Sequence, residues 1–283
     1  MPPPVDPPVD PPVNPPPTPP NGDWKTLLSG DWTMAPGTEG YICVRKTLEE
    51  DLIVGTFDAI NPPGTHHTLL TMGTPDAADG IAPCNAGTNR TQSVFGSGVG
   101  SIPLAFPKGV ALRIKAGTQL LLNLHLFNTG TAPISGTSGT RFQTVADADA
   151  PTQAEGLLAG PISLNLPPGQ TTKTTGYCTM SIDSTIFAVS PHMHLLGTYQ
   201  KIAVEHAAGG EEVLYDAAYD FNEQRYFAVP SIQVKKGDKV RVECTHNNTT
   251  PTKVTFGEST LSEMCFAGLY RFPADGSPFM CTR

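Results

Sequence analysis

From Trp24 onward the apolar residues fall in short runs or in alternation with polar ones, and turn-forming residues interrupt them repeatedly. Residues 40–45, 111–115, 120–127, 186–189 and 239–243 are examples. A period of two suits a strand, because successive side chains leave a pleated backbone on opposite faces. No segment sustains the 3.6-residue period of an amphipathic helix over the ~11 residues needed to read one. The pattern predicts an all-β sandwich or jelly roll rather than a βαβ protein. Two turns resemble each other: residues 115–120 and 236–240 each pass from Lys through Gly into a strand. An internal duplication would explain them, with the chain dividing in the Pro/Gly/Thr-rich stretch 166–172. The expected organisation is a Pro-rich linker over 1–22 and two tandem β domains, 23–168 and 169–283.

The linker is unlike everything after it, with twelve prolines in the first 20 residues. Proline fixes φ and lacks the N–H, so neither helix nor ladder can form. A disordered, semi-rigid polyproline spacer of about 60 Å is expected. No basic-then-apolar signal pattern precedes it. A spacer at the very start suggests that something upstream was removed, such as a lipoprotein-like surface tether, the competing reading being a plain disordered tail. No apolar run reaches the ~18 residues of a spanning helix. The net charge is −8, from 18 basic and 26 acidic residues. Without a cluster of Lys or Arg, a nucleic-acid partner is not expected.

Six cysteines form an even set with no Cys-x-x-Cys pair. That argues against a zinc ribbon or a thioredoxin-type site and for disulfides, hence a secreted, periplasmic or cell-surface protein. The competing reading is six buried thiols in the cytosol. With a division near residue 170, Cys43 and Cys84 share one half and the other four share the second.

Five of the seven histidines fall in three contexts. On a strand, His192 and His194 would present two imidazoles to one side while Met193 points to the other, which is a chelate or else a structural pair. Adjacent His66 and His67 would diverge on an ideal strand, so joint ligation needs a bulge or loop; spacing alone favours one of them being structural. His125, between Leu124 and Leu126, reads as a hydrogen-bonded core residue. His206 and His246 lie in polar, turn-like contexts and read as surface residues. Imidazoles alone suit zinc, copper, iron or nickel, whereas a thioether selects Cu(I). Met264, in Ser262-Glu263-Met264-Cys265, is a candidate thioether, although no spacing ties it to the histidines.

The order of these motifs between about Tyr41 and Cys281 resembles the copper type II, ascorbate-dependent monooxygenases, which include peptidylglycine α-hydroxylating monooxygenase and dopamine β-monooxygenase. The resemblance implies two copper ions. His66, His67 and His125 would hold the electron-donating copper; His192, His194 and Met264 would hold the copper at which O2 binds. It implies ascorbate as the reductant, hydroxylation of an sp3 C–H bond, and disulfides Cys43–Cys84, Cys178–Cys281 and Cys244–Cys265. It makes the two domains, 23–168 and 169–283, antiparallel jelly rolls that face each other across a solvent-filled cleft. Substrate residues match less well. Amidating members carry an arginine, which holds the substrate carboxylate, where this chain has Ser190, so a peptide C-terminal glycine is a poor fit. Tyr270 stands two residues beyond the family's substrate tyrosine and is the candidate substrate contact. Asn123 would be a polar neighbour of the first copper. The substrate, a small molecule or peptide, is unidentified. Two other classes remain: a non-catalytic copper-binding or buffering protein on the same scaffold, and a zinc hydrolase with Glu263 as its base.

Overall fold

The computed structural model describes residues 23–221, 224–257, 261–276 and 279–281, so the linker expected over 1–22 lies outside them. The described chain is all-β, and its one helical turn is a 3-10 turn at Asp147–Asp149. Strand pairing is antiparallel except where Thr152–Gln153 joins Val110–Ile114 and where Glu155–Ala159 joins Met280–Cys281.

Two sheets enclose the first core. One runs Lys25–Met34, Ile134–Thr144, Leu52–Ile60, Val110–Ile114, Thr152–Gln153; the other runs Gly80–Pro83, Glu39–Thr47, Gln119–Phe127, Thr65–Gly73, Gln92–Gly98. Central Gln119–Phe127 shows how the sequence builds this layer. Leu120, Leu122, Leu124 and Leu126 enter the core. Gln119, Asn123 and His125 take the opposite face, where they are buried with hydrogen bonds: Gln119 to Asp79 and the Ala77 carbonyl, Asn123 to the carbonyls of Asn85 and Thr88, His125 to Glu39. Buried polar groups persist only when so paired.

A second core lies between the sheet Phe227–Val234, Ser184–Met193, Cys265–Phe272, Glu155–Ala159, Met280–Cys281 and the sheet Gln170–Thr179, Lys239–Asn248, Gly197–Glu205, Glu211–Ala218. Along Lys239–Asn248, Val240, Val242, Cys244, His246 and Asn248 are all buried. His246 is therefore an interior residue with no exposed surface, not the surface residue expected. Its period-two phase with three apolar neighbours outweighs the polar residues beside it.

The turn leading into each central strand is built the same way. Asp51 accepts from Lys115 Nζ and the Ala116 N–H; Asp183 accepts from Lys235 Nζ and the Lys236 N–H. Gly117 and Gly237 follow with φ of 81° and 95°, a region that favours glycine. Beyond each strand an asparagine ties the corner. Asn128 donates to the carbonyls of Met34, Ala35 and Ala132 and accepts from Gly130; Asn248 donates to those of Leu166 and Thr252 and accepts from Thr250.

The halves meet through aromatic rings. Phe187, Tyr226 and Tyr270, from the second half, belong to the first core. The Tyr270 ring lies 5.1 Å from Phe106 and 5.4 Å from Tyr226, and its hydroxyl donates to the Val94 carbonyl. Three disulfides are present, Cys43–Cys84, Cys178–Cys281 and Cys244–Cys265, the pairs that the resemblance implies.

Candidate metal centre

His67 on Thr65–Gly73 sits directly opposite His125 on the neighbouring strand. The register slips between Thr65 and His67, leaving His66 as the extra residue of a bulge. This irregularity turns the adjacent rings together, so that His66 Nδ1 lies 3.0 Å and His125 Nδ1 3.3 Å from His67 Nδ1. Gly64, at φ 101°, leads into the bulge; a side chain there would collide with Trp32. Around His125 the ring is fixed on two sides. Tyr41 stacks on it at 4.4 Å with planes 3° apart, and Glu39 accepts its Nε2–H at 2.5 Å. Since a carboxylate only accepts, Nδ1 of His125 must carry the lone pair, and it faces His67.

The second set forms at the end of Ser184–Met193. His192 and His194 face one side, with ring centres 5.4 Å apart, while Met193 is fully buried in the second core. Gly197 is needed because a Cβ there would come within 2.8 Å of Met193. Gln224 accepts from His192 Nδ1 at 3.0 Å, and the Ser262 carbonyl accepts from His194 Nδ1 at 3.0 Å. Both Nε2 atoms are thereby left as lone pairs, and that of His192 lies 3.3 Å from Met264 Sδ. Thus the structure brings Met264 to His192 across 72 residues of sequence.

Electrostatics keeps three of the rings neutral, those of His67, His125 and His192. Burial drives His67 well below its ordinary value, helped by His125, His66, His192 and His194. Burial also lowers His125 against the opposing pull of Glu39. His192 falls to about 4, through burial and then His194. Neutral imidazoles with converging lone pairs repel one another and lack a donor, an arrangement that a cation resolves. Two nitrogens on one metal at about 2.0 Å stand roughly 3.3 Å apart, so the spacings fit a bound ion. The three-histidine set is all-nitrogen; the other contains a soft thioether, which selects Cu(I).

His67 of the first set and His192, His194 and Met264 of the second line one cavity of about 80 Å³, together with Tyr41, Leu69, Asn89, Asn123, Phe221 and Gln224. An open cleft was expected; instead, Phe221 lies against His66 with ring centres 4.9 Å apart. Asn123, the expected polar neighbour, does line this cavity. Tyr270 does not: it is fully buried among core aromatics, so the expected substrate contact is not made. Ser190 pairs with Gly268 within its sheet. Glu263, the candidate hydrolytic base, is fully buried and accepts from the main-chain N–H groups of His194, Leu196 and Met264, which leaves it no free face for a water. His206, the other histidine expected at the surface, is partly exposed and bonded to Asp238 and Glu212. Sequence reasoning missed Glu39, Tyr41, Gln224, Phe221 and His246. Only His246 had a readable signal, its place in an alternating strand.

The all-β scaffold thus carries one nitrogen-only and one nitrogen–thioether donor set, the second of which suits a soft ion such as Cu(I). Residues 153–281 match the model for the copper type II ascorbate-dependent monooxygenase, C-terminal domain. Over these residues the chain is similar to the copper type II ascorbate-dependent monooxygenases, a family that depends on copper and ascorbate. A human DBH-like monooxygenase protein 2, whose own name is provisional, is 27% identical over 202 residues, 65% of this chain. The chain spans 40% of that relative's length. A solved Paenibacillus xanthan lyase matches 90% of this chain and 27% of its own at 10% identity, with a TM-score of 0.24.

Proposed function

We propose that the protein is a copper- and ascorbate-dependent monooxygenase that hydroxylates an sp3 C–H bond of a small substrate with O2. His66, His67 and His125 hold one copper, and His192, His194 and Met264 hold the other. The observation that carries this reading is that His67 from one cluster and His192, His194 and Met264 from the other line one cavity, with His67 and His192 held neutral by burial. Copper bound there would supply one-electron redox chemistry, which zinc cannot.

The chain's own residues prepare the site for that chemistry. Glu39, Gln224 and the Ser262 carbonyl each hold one ring N–H, which fixes the tautomer and aims the other nitrogen inward. Phe221 and Leu69 limit water between the clusters. Among the described residues no Lys, Arg, Asp or Glu side chain lines the cavity, so a substrate carboxylate finds no charged partner among them. That favours an uncharged substrate over a peptide C-terminus.

We also take the architecture to be two tandem jelly rolls. The repeated turn and asparagine corner support a duplication. The expected division at 168/169 moves to near residue 153 in this reading, because Glu155–Ala159 pairs with Cys265–Phe272. Secretion or display at a cell surface accords with the three disulfides.

Purified protein loaded with copper should bind two ions per chain and consume O2 with ascorbate, coupled to hydroxylation in a panel of neutral C–H substrates. Met264→Ala should abolish turnover yet keep the three-histidine copper. Undiminished turnover in Met264→Ala would refute the assignment. A second reading, a copper-binding protein without turnover, is favoured by the smallness of the cavity and the absence of Tyr270 from it. Two bound coppers with no coupled turnover across the panel would select it.

A further inference from the structure

Glu263 and His246 are both entirely buried, yet neither faces the cavity, and the chemistry proposed above gives them no part. Their contacts are specific. Glu263 Oε2 accepts from the N–H of His194 at 3.0 Å and of Met264 at 3.2 Å, and Oε1 accepts from the N–H of Leu196 at 2.6 Å. His246 Nε2 lies 3.1 Å from the Met264 carbonyl and 3.4 Å from Glu263 Oε2. One carboxylate therefore joins the backbone of two ligand-bearing segments that lie 69 residues apart. His246 then grips the thioether segment from behind.

The strand carrying His246 adds a second hold. Cys244 and His246, two apart on Lys239–Asn248, leave the same face. Cys244 is bonded to Cys265, and His246 meets the carbonyl of the preceding residue, Met264. Successive residues are thus fixed to one rigid strand. Met264 has an unbranched side chain with three rotatable bonds and no preference of its own for the cavity. A short segment bearing such a side chain could not hold Sδ at 3.3 Å from His192 Nε2 without a fixed backbone.

We propose that Glu263 and His246 form a buried clasp that positions Met264 as a metal ligand; the idea rests on the copper reading of the second cluster. They are positioning residues and touch neither metal nor substrate. A carboxylate is suited to this role because its two oxygens accept three N–H groups at once, whereas a neutral amide offers one accepting oxygen and adds two donors that need partners.

The test compares copper-loaded, ascorbate-reduced wild type with Glu263→Gln and His246→Leu by X-ray absorption and by competition for Cu(I) with a calibrated chelator. Thermal melting and thiol counts check that each variant is folded and fully disulfide-bonded. Wild type should show a Cu–S contribution and two Cu(I) per chain. Each folded variant should lose the Cu–S contribution and bind Cu(I) at the second cluster at least tenfold more weakly, with the three-histidine cluster unchanged. Should Glu263→Gln not fold, His246→Leu decides, since it removes a single donor and leaves the three amide contacts. Folded variants that keep the sulfur contribution and wild-type Cu(I) affinity would overturn the clasp while leaving the copper reading intact. A wild type that binds Cu(I) without sulfur would overturn both.

Discussion

His66 is where the first cluster depends most on a local exception. On an ideal strand it would point away from His67, and only the slipped register opposite Leu126 and His125 brings both rings together. The sequence shows two adjacent histidines but not the slip, because register is a property of two strands and neither encodes it alone. Met193 is the contrary case: its separation from His192 and His194 follows from alternation and was readable directly. The neutral rings also have a thermodynamic consequence. In metal-free protein His67, His125 and His192 resist protonation when folded but take up protons near pH 6.5 when unfolded. The unfolded state therefore binds more protons as pH falls, and stability is lost from about pH 6.5 down toward 4. For His192 alone, a fall from 6.5 to about 4 corresponds to roughly 3 kcal/mol. Urea midpoints of the metal-free protein should drop across that window, and His192→Gln should flatten the drop. A flat wild-type profile would show that the rings are not held neutral.

At the scale of elements, strands were easier to read than the partners they choose. Lys239–Asn248 and Gln119–Phe127 stand out as period-two segments, and their similar entry turns hinted at duplication before any pairing was known. What the pattern could not supply was the joining of Met264 to His192, which depends on how two distant segments are pinned to a third strand. His246 was misread for a related reason: its neighbours Asn247 and Thr245 are polar, while its phase matches Val240, Val242 and Cys244. The Cys244–Cys265 disulfide closes a loop of 21 residues beside Met264. Replacing both cysteines by alanine should cost about 3 kcal/mol by loop closure. Copper counts should then fall at the thioether cluster before they fall at the three-histidine one. Equal loss at both would mean that the disulfide acts on global stability alone.

For the whole molecule, the joint between the halves is a packed aromatic cluster rather than a flexible hinge. The resemblance offered Tyr270 as a candidate substrate contact; burial instead gives it a structural task, filling the first core from the second half. Truncating so large a buried ring generally costs about 3–5 kcal/mol. Tyr270→Ala should lower the melting temperature and split a single calorimetric transition into two. A variant melting like wild type would mean that the halves are energetically independent. Cys178–Cys281 has a further consequence, for biosynthesis. Its partners are separated by 103 residues, and Met280–Cys281 also completes the edge beside Glu155–Ala159. While the ribosome is still extending the chain short of residue 281, Cys178 has no correct mate. The second half can be locked only after translation has passed that point, and a premature stop a few codons earlier would release a chain with an unpaired thiol and an uncovered sheet edge.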